Sequence, residues 1–432
     1  MRTSGAATWI VAAILLVGFL VVVVAATPWQ PFPDAGVELI PADPDRDFTA
    51  AEQAAAEQYR SESRPPGYLS LATGLIVALV LGLTPLGSRI VDLAARPLGG
   101  GWIWQVLLGG LALLLVMRAA TLPFSAWAET VRRSYGLSTR DWAGWLADVA
   151  RSFGLQVVGT LLALLALVAL ARAFPRWWWV AAAAGAAAFV VALSFVYPLV
   201  IEPVFNKFTP MDDGELRTSL LELAQADGLN VDEVLVADAS RRTTTLNAYV
   251  SGFGATHRIV VYDTLLDRAP DDEIRSIVAH ELGHTADNDV RNGTLLGALA
   301  AAAGVCVLAG LLALRWPLDR AGATGPSDPR VIALVLAIVT VLGLVAAPVQ
   351  NLVSRRVETR ADVHSLDLTG DAATFVQMQH NLAVTAYSDP DPPAWLFALF
   401  ASHPTHPQRI ALARTWAKLH GETEPADLVK GE

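Results

Sequence analysis

The chain has 432 residues, 53% of them hydrophobic and only 17% charged, with a mean hydropathy of +0.43; that apolar share exceeds the one typical of a soluble globular protein and points to a lipid bilayer as its surroundings. The formal net charge of -10 is spread over the polar segments without a basic stripe, which excludes a nucleic-acid-binding face. One cysteine, Cys306, sits in an apolar run and excludes an intramolecular disulfide framework and any cysteine-based metal site.

A membrane-spanning helix needs about 20 mostly apolar residues. Seven runs meet that length, near 8–26, 68–87, 102–124, 154–173, 178–200, 293–315 and 329–353. The first has a long apolar core followed by "ATPWQPFPDAG", a poor cleavage site, so it reads as an anchor and not as a removable signal peptide. Residues 27–67 are acidic and Pro-rich, and are expected to form an irregular loop or short helix outside the bilayer. After the fifth run comes a polar loop. Within it "DDGELRTSLLELAQADGL" has helical apolar spacing and stops at Gly228, whereas "DEVLVADAS", "NAYVSGFG" with a Gly-containing turn, and "HRIVVYDTLL" read as short strands. The expected fold is mostly α: a polytopic membrane protein with about seven transmembrane helices plus a small αβ domain. It divides into an N-terminal membrane part (1–203), an αβ segment (204–292), two further spans (293–353) and a C-terminal polar segment (354–432). Charges near the span ends do not settle the orientation, although Arg355, Arg356 and Arg360 tilt the tail towards the cytoplasm. Lysine occurs only at Lys207, Lys418 and Lys430, an Arg bias that suggests a GC-rich bacterial genome.

The chemistry concentrates in "SIVAHELGHTADNDV", residues 276–290. His280 and His284 are four residues apart, so on a helix both imidazoles leave one face, separated by roughly one 5.4 Å turn, and can reach a single metal ion. Glu281 lies between them, where a general base for a metal-activated water belongs. The upstream "PDDEIRSIVAH" supplies an acidic first turn and the apolar Ile274, Ile277 and Val278 of an amphipathic helix. Flanks this polar place the metal near or outside the bilayer surface, or in a water-filled cavity.

A catalytic zinc site needs a third protein ligand and an open position. The best source is "SRRVETRADVHSLDL", where Glu358 and Asp362, four apart, share a helix face: one carboxylate can bind metal while the other holds a histidine's second nitrogen. The bland alternative is a solvated face whose acids pair with Arg355, Arg356 and Arg360. In "SHPTHPQRI", His403, His406 and Arg409 crowd a Pro-marked turn; a histidine or arginine there could meet a developing oxyanion, although locally these are ordinary loop residues. His257, His364, His380 and His420 have no partner at metal spacing and read as structural or exposed.

Taken with "VFNKFTP" (204–210), "NAYVSGFGATHRIVVYDTLL" (247–266), "HELGH", "SRRVETRAD" and "SHPTHPQR", and weakly with "LPFSAWAETVRRSYGLSTRDW" (122–142), the chain resembles the integral-membrane CAAX prenyl proteases, zinc metallopeptidases of the gluzincin group. The resemblance implies Zn2+ held by His280, His284 and Glu358, Glu281 as the base, and Asp362 supporting a ligand. It also implies His403 and Arg409 near the scissile carbonyl, and the strand of Asn247, Ala248 and Tyr249 as the edge on which an extended peptide is laid. It further implies seven helices enclosing a large chamber, with the site on the cytoplasmic side of the membrane. The substrate would be a peptide or protein, prenylated or not.

Two other readings compete. One is a membrane quality-control protease of the HtpX type, which would carry fewer spans. The other is a seven-helix transporter with incidental histidines, which would show paired, broken spans that are not seen here.

Overall fold

The computed structural model describes residues 2–32, 38–231, 233–252 and 257–429. Among these, the chain opens with α1 (Arg2–Ala26), the single turn α2 (Pro44–Asp47) and the long α3 (Ala50–Gly82), followed by α4 (Pro85–Ala95). The short α5 (Trp102–Trp104) runs through a π-helical turn at Gln105–Gly109 into α6 (Gly110–Ser134), and α7 (Trp142–Ala173) follows. Next, α8 (Trp178–Val196) passes a second π turn, Tyr197–Ile201, into α9 (Glu202–Phe205). The polar loop contributes β1 (Phe208–Pro210), α10 (Glu215–Ala226), β2 (Glu233–Ala237), β3 (Ala248–Ser251), β4 (Arg258–Tyr262), α11 (Asp263–Leu266) and α12 (Asp271–Ala286). Then come α13 (Asp289–Leu312), α14 (Arg315–Ala321), α15 (Ile332–Thr369), α16 (Ala372–Ala386), α17 (Ala394–Phe400) and α18 (His406–His420).

Seven helical stretches are long and apolar enough to cross a membrane: Ala7–Ala26, Ala50–Gly82, Trp102–Ser134, Trp142–Ala173, Trp178–Phe205, Asp289–Leu312 and Pro329–Thr369. They are the seven runs expected from the sequence, several lengthened by polar turns. Large apolar side chains such as Ile14, Leu162, Phe189 and Val345 face outwards on them, as lipid-facing positions should. Residues 50–67 depart from expectation, because they are the first half of α3 and not a loop. Thr49 starts the helix with a capping box, its backbone N–H donating to Glu52 at 2.8 Å while its hydroxyl accepts from the Glu52 N–H. Pro65 and Pro66, which read as breakers, lie inside the helix. α6 and α15 pack along α3, and such neighbouring helices allow a membrane helix to tolerate prolines.

At Gly82, α3 and α15 approach to backbone contact: a Cβ added there would lie 2.4 Å from the Cβ of Ala337. Small residues allow such approaches between membrane helices. Gly82→Leu is therefore expected to lower the thermal unfolding midpoint in detergent, at a cost of about 1–3 kcal/mol. Gly154→Leu in α7, where an added Cβ meets nothing within 4 Å, should leave it unchanged. Equal midpoints for the two variants would show that the α3–α15 approach is loose.

The sheet has the order β1-β2-β4-β3. Its Val- and Ile-rich centre is the parallel pair β2–β4, with Val234 opposite Ile259 and Val236 opposite Val261. The strand β1, too short to be seen in the sequence, flanks it antiparallel, and β3 forms the other edge. The turn expected after β3 falls on residues 253–256, outside the described residues. Helix α12 lays Ile274, Val278 and Leu282 into one core with Ile259 and Val261 of the sheet, Leu366 of α15 and Phe375 of α16. This packing places α12 between the sheet and the polar end of α15. A buried ion pair joins α18 to the segment before α3, Arg414 donating to Asp47 at 2.8 Å, and Thr415 accepts from the Ile40 N–H at 3.0 Å.

Candidate active site

Two parallel demands shape this site: α12 must bury its apolar face, and the residues left on its opposite side must satisfy their polar atoms. His280, Glu281 and His284 leave that side with donor atoms within 4.8 Å of one another. Helix α15 crosses beside them and presents Glu358 and Asp362 one turn apart. Glu358 Oε2 lies 3.2 Å from His280 Nε2, and its Oε1 lies 3.8 Å from His284 Nε2. Asp362, fully buried, takes the opposite edge of the first imidazole, its Oδ1 being 2.9 Å from His280 Nδ1. His284 is held in the same way, its Nδ1 being 3.0 Å from Asp289 at the start of α13.

These contacts set the tautomers. Each Nδ1–H donates to a carboxylate, so each Nε2 turns an unshared pair towards Glu358. Three acceptors thus converge with no hydrogen between them, and Glu358 Oε2, buried, finds no hydrogen-bond partner. Such a donor set fits a cation, and its composition, two imidazoles and one carboxylate, fits zinc. Burial lowers the His280 pKa, but the carboxylates of Asp362 and Glu358, placed to accept from the protonated ring, outweigh it and raise the group to about 9. Burial likewise pushes the Glu281 carboxyl up, and the neighbouring histidines only partly oppose this.

The loop before α18 closes the site. His403, exposed, brings its Nε2 to 3.3 Å from Glu358 Oε1. Helix α18 begins with a capping box of Thr405 and Gln408, which points its first turn at α15. Arg409, on that turn, is buried with both arms on Asp362, the Nε bond measuring 2.8 Å. Its guanidinium thus lies on the Nδ1 side of His280, 3.4 Å from that nitrogen. Arg360, expected to pair with Glu358 or Asp362 on the bland reading, bonds Asp287 at 2.7 Å and also Asp289.

Ala248 and Tyr249 begin the edge strand β3, which packs against α12, and Asn247 immediately precedes it. Ala248 is buried and Asn247 exposed, and the Tyr249 hydroxyl reaches Glu202 of α9 at 3.5 Å. His364 pairs with Asp227, and His380 with Glu52, both away from the metal-ligating group. Two further residues had no signal strong enough to find them in the sequence. Asp289 lies five positions after His284, a spacing no motif prescribes. Gln379 of α16 is fully buried, and its amide, oriented to satisfy both neighbours, donates to His406 Nδ1 at 2.8 Å and accepts from Arg409 at 3.3 Å.

Comparison with known proteins agrees with this geometry. The profile of peptidase family M48 matches residues 210–417, and that of the CAAX prenyl protease N-terminal region, five membrane helices, matches residues 36–207. An uncharacterized metalloprotease, YhfN, of Bacillus subtilis is 30% identical over 85% of this chain and 87% of its own. CAAX prenyl protease 1 of Saccharomyces cerevisiae is 30% identical over 52% of this chain, and the rice homolog 35% identical over 52%. Those two matches span about half the relatives' length, 48% and 53%. The crystal structure of S. mikatae Ste24p has the same fold, with a TM-score of 0.76 at 22% identity, covering 94% of this chain and 98% of that one. The transporter reading is thereby set aside: the chain belongs to peptidase family M48 and is an integral-membrane metalloprotease.

Proposed function

We propose that this protein is a zinc endopeptidase that hydrolyses peptide bonds near the C-terminus of CAAX-type or similar membrane-associated peptides, with its site on the cytoplasmic side of the membrane. The observation that carries the reading is the convergence of His280 Nε2, His284 Nε2 and Glu358 on one point, with their outer atoms already engaged. These three residues would hold the zinc, which when bound supplies Lewis acidity to a water and to the substrate carbonyl.

The protein's own groups handle the proton and the orientation. Glu281 accepts the water proton on its carboxylate as the oxygen attacks the carbonyl carbon, then delivers it to the amide nitrogen as the C–N bond breaks. His403, exposed beside Glu358, donates to the carbonyl oxygen as negative charge builds there. Arg409 acts through Asp362: it fixes the carboxylate that orients His280. The edge strand of Asn247, Ala248 and Tyr249 offers backbone groups to an extended peptide, which would add as a further strand. Arg355, Arg356 and Arg360 beyond the last apolar run tilt the balance towards the cytoplasmic orientation that the family resemblance implies.

Asp362→Asn should weaken metal affinity about 10–100-fold, because the amide no longer accepts from His280 Nδ1 as a charged partner. Competition with a chromophoric chelator measures this, and wild-type affinity would show that the Asp362 contact is incidental. The function itself is tested with detergent-purified protein and a quenched farnesylated CAAX peptide. Chelation should abolish cleavage and added Zn2+ restore it. Chelation without effect would overturn the metal mechanism. Cleavage confined to unprenylated, unfolded membrane proteins would overturn the substrate class and favour quality control.

A further inference from the structure

A cavity lies beside the Asp362–Arg409 pair, between the polar end of α15, α17, α18 and the segment before α2, with a volume of about 420 Å³. That is within the size range of small-ligand sites. Ile40, Leu352, Phe397 and Leu412 make one part of its wall apolar, while Arg355 and Arg356 line another. The two arginines are not neutralised. Arg355 donates to the carbonyls of Phe397 at 3.1 Å and Ala401 at 2.5 Å, with its guanidinium 4.4 Å over the Phe397 ring. Arg356 makes no ion pair or hydrogen bond among the described residues. The third arginine of the group, Arg360, is committed to Asp287 and Asp289. At the inner end of the cavity stand Asp362 and Arg409, already paired with each other, so the lining carries three guanidinium groups against one carboxylate.

Adjacent, half-buried guanidinium groups repel each other and leave donors unused, and an anion with several oxygens relieves both costs. The location narrows the kind of anion. Arg355 and Arg356 follow directly on the apolar run of α15 that ends at Leu352 and Val353, at the level where a bilayer places its headgroups, and the apolar wall continues from there. We propose that this cavity binds one anionic phospholipid, its phosphate on Arg355 and Arg356 and the start of an acyl chain along Leu352, Phe397 and Leu412. A free phosphate would satisfy the arginines but leave the apolar wall uncovered. Because Asp362 and Arg409 close the inner end, the bound lipid would lie against the pair that orients His280, and the surrounding membrane composition would bear on the site.

The test uses native mass spectrometry of the full chain in detergent, titrated with dioleoyl phosphatidylglycerol or dioleoyl phosphatidylcholine. One phosphatidylglycerol per chain should be retained and phosphatidylcholine released. Arg356→Gln should weaken retention about fivefold, since one basic side chain near a headgroup contributes about that factor. Its melting point in lipid-free detergent should be no lower than that of wild type, because Arg356 makes no ion pair or hydrogen bond among the described residues. Equal retention of the two lipids, undiminished retention by Arg356→Gln, or a lowered melting point of that variant without lipid would each overturn the proposal. Full displacement of the lipid by inorganic phosphate would overturn it in favour of a free-anion site.

Discussion

Glu281→Gln is expected to lower peptide cleavage by about 10²- to 10⁴-fold, the range a positioned general base contributes, while metal content stays at the wild-type level. The reason lies in the geometry. His280 and His284 aim Nε2 at the point where Glu358 also aims, and Glu281 lies between them on the same turn of α12 with no hydrogen-bond duty of its own among the described residues. Glutamine keeps the shape of the side chain and removes the carboxylate that takes the proton. It also removes a charge that burial disfavours, so the fold should tolerate it well. Metal content and initial rate, measured on the same preparation, separate the outcomes. Retained metal with full activity would falsify the base assignment, whereas joint loss of metal and activity would move Glu281 into the ligand set.

Glu358→Ala should instead empty the site, with metal stoichiometry falling towards zero and activity falling with it. Glu358 is buried, and only its carboxylate faces both imidazoles from α15. Alanine leaves two ligands four residues apart on one helix, too few for a structural or catalytic zinc site. The first turn of α18 is bound to Asp362 and not to Glu358, so its docking should survive, and an unchanged elution volume would confirm that the loss is local. Wild-type stoichiometry in this variant would place the third ligand elsewhere. His403 would then be the first residue to replace, because it lies 3.3 Å from Glu358.

The features legible in the sequence are those that repeat with a fixed period. Two histidines four apart, two acids four apart, and apolar runs of membrane length each follow from helix geometry, and the structure brings His280, His284, Glu358 and Asp362 to one place. The misread stretch, 50–67, failed because Pro65 and Pro66 carry a strong local signal that packing by α6 and α15 overrides. The capping box at Thr49 and Glu52 pointed the other way and was available. Contacts across long separations left no trace. Nothing around Gln379 distinguishes a glutamine aimed at Arg409 from one aimed at solvent, and nothing in Asp47 announces Arg414. Arg409 was found as a candidate by its neighbours His403 and His406, but whether its charge meets substrate or Asp362 depends on where α18 docks.

That docking has a consequence for the order of events during synthesis. His280, Glu281 and His284 leave the ribosome long before Glu358 and Asp362, and His403 and Arg409 come near the end of the chain. Until α18 is made, Asp362 lacks its guanidinium partner, and the group that orients His280 is itself unanchored. α18 in turn settles by burying Arg414 against Asp47, which precedes α3 and is made long before α18. A nascent or prematurely terminated chain therefore has its spans and its metal-ligand motif but lacks the clasp that aligns them. The alignment of His280 is thus completed by α18, a helix synthesised after the spans and after the metal-ligand motif it steadies.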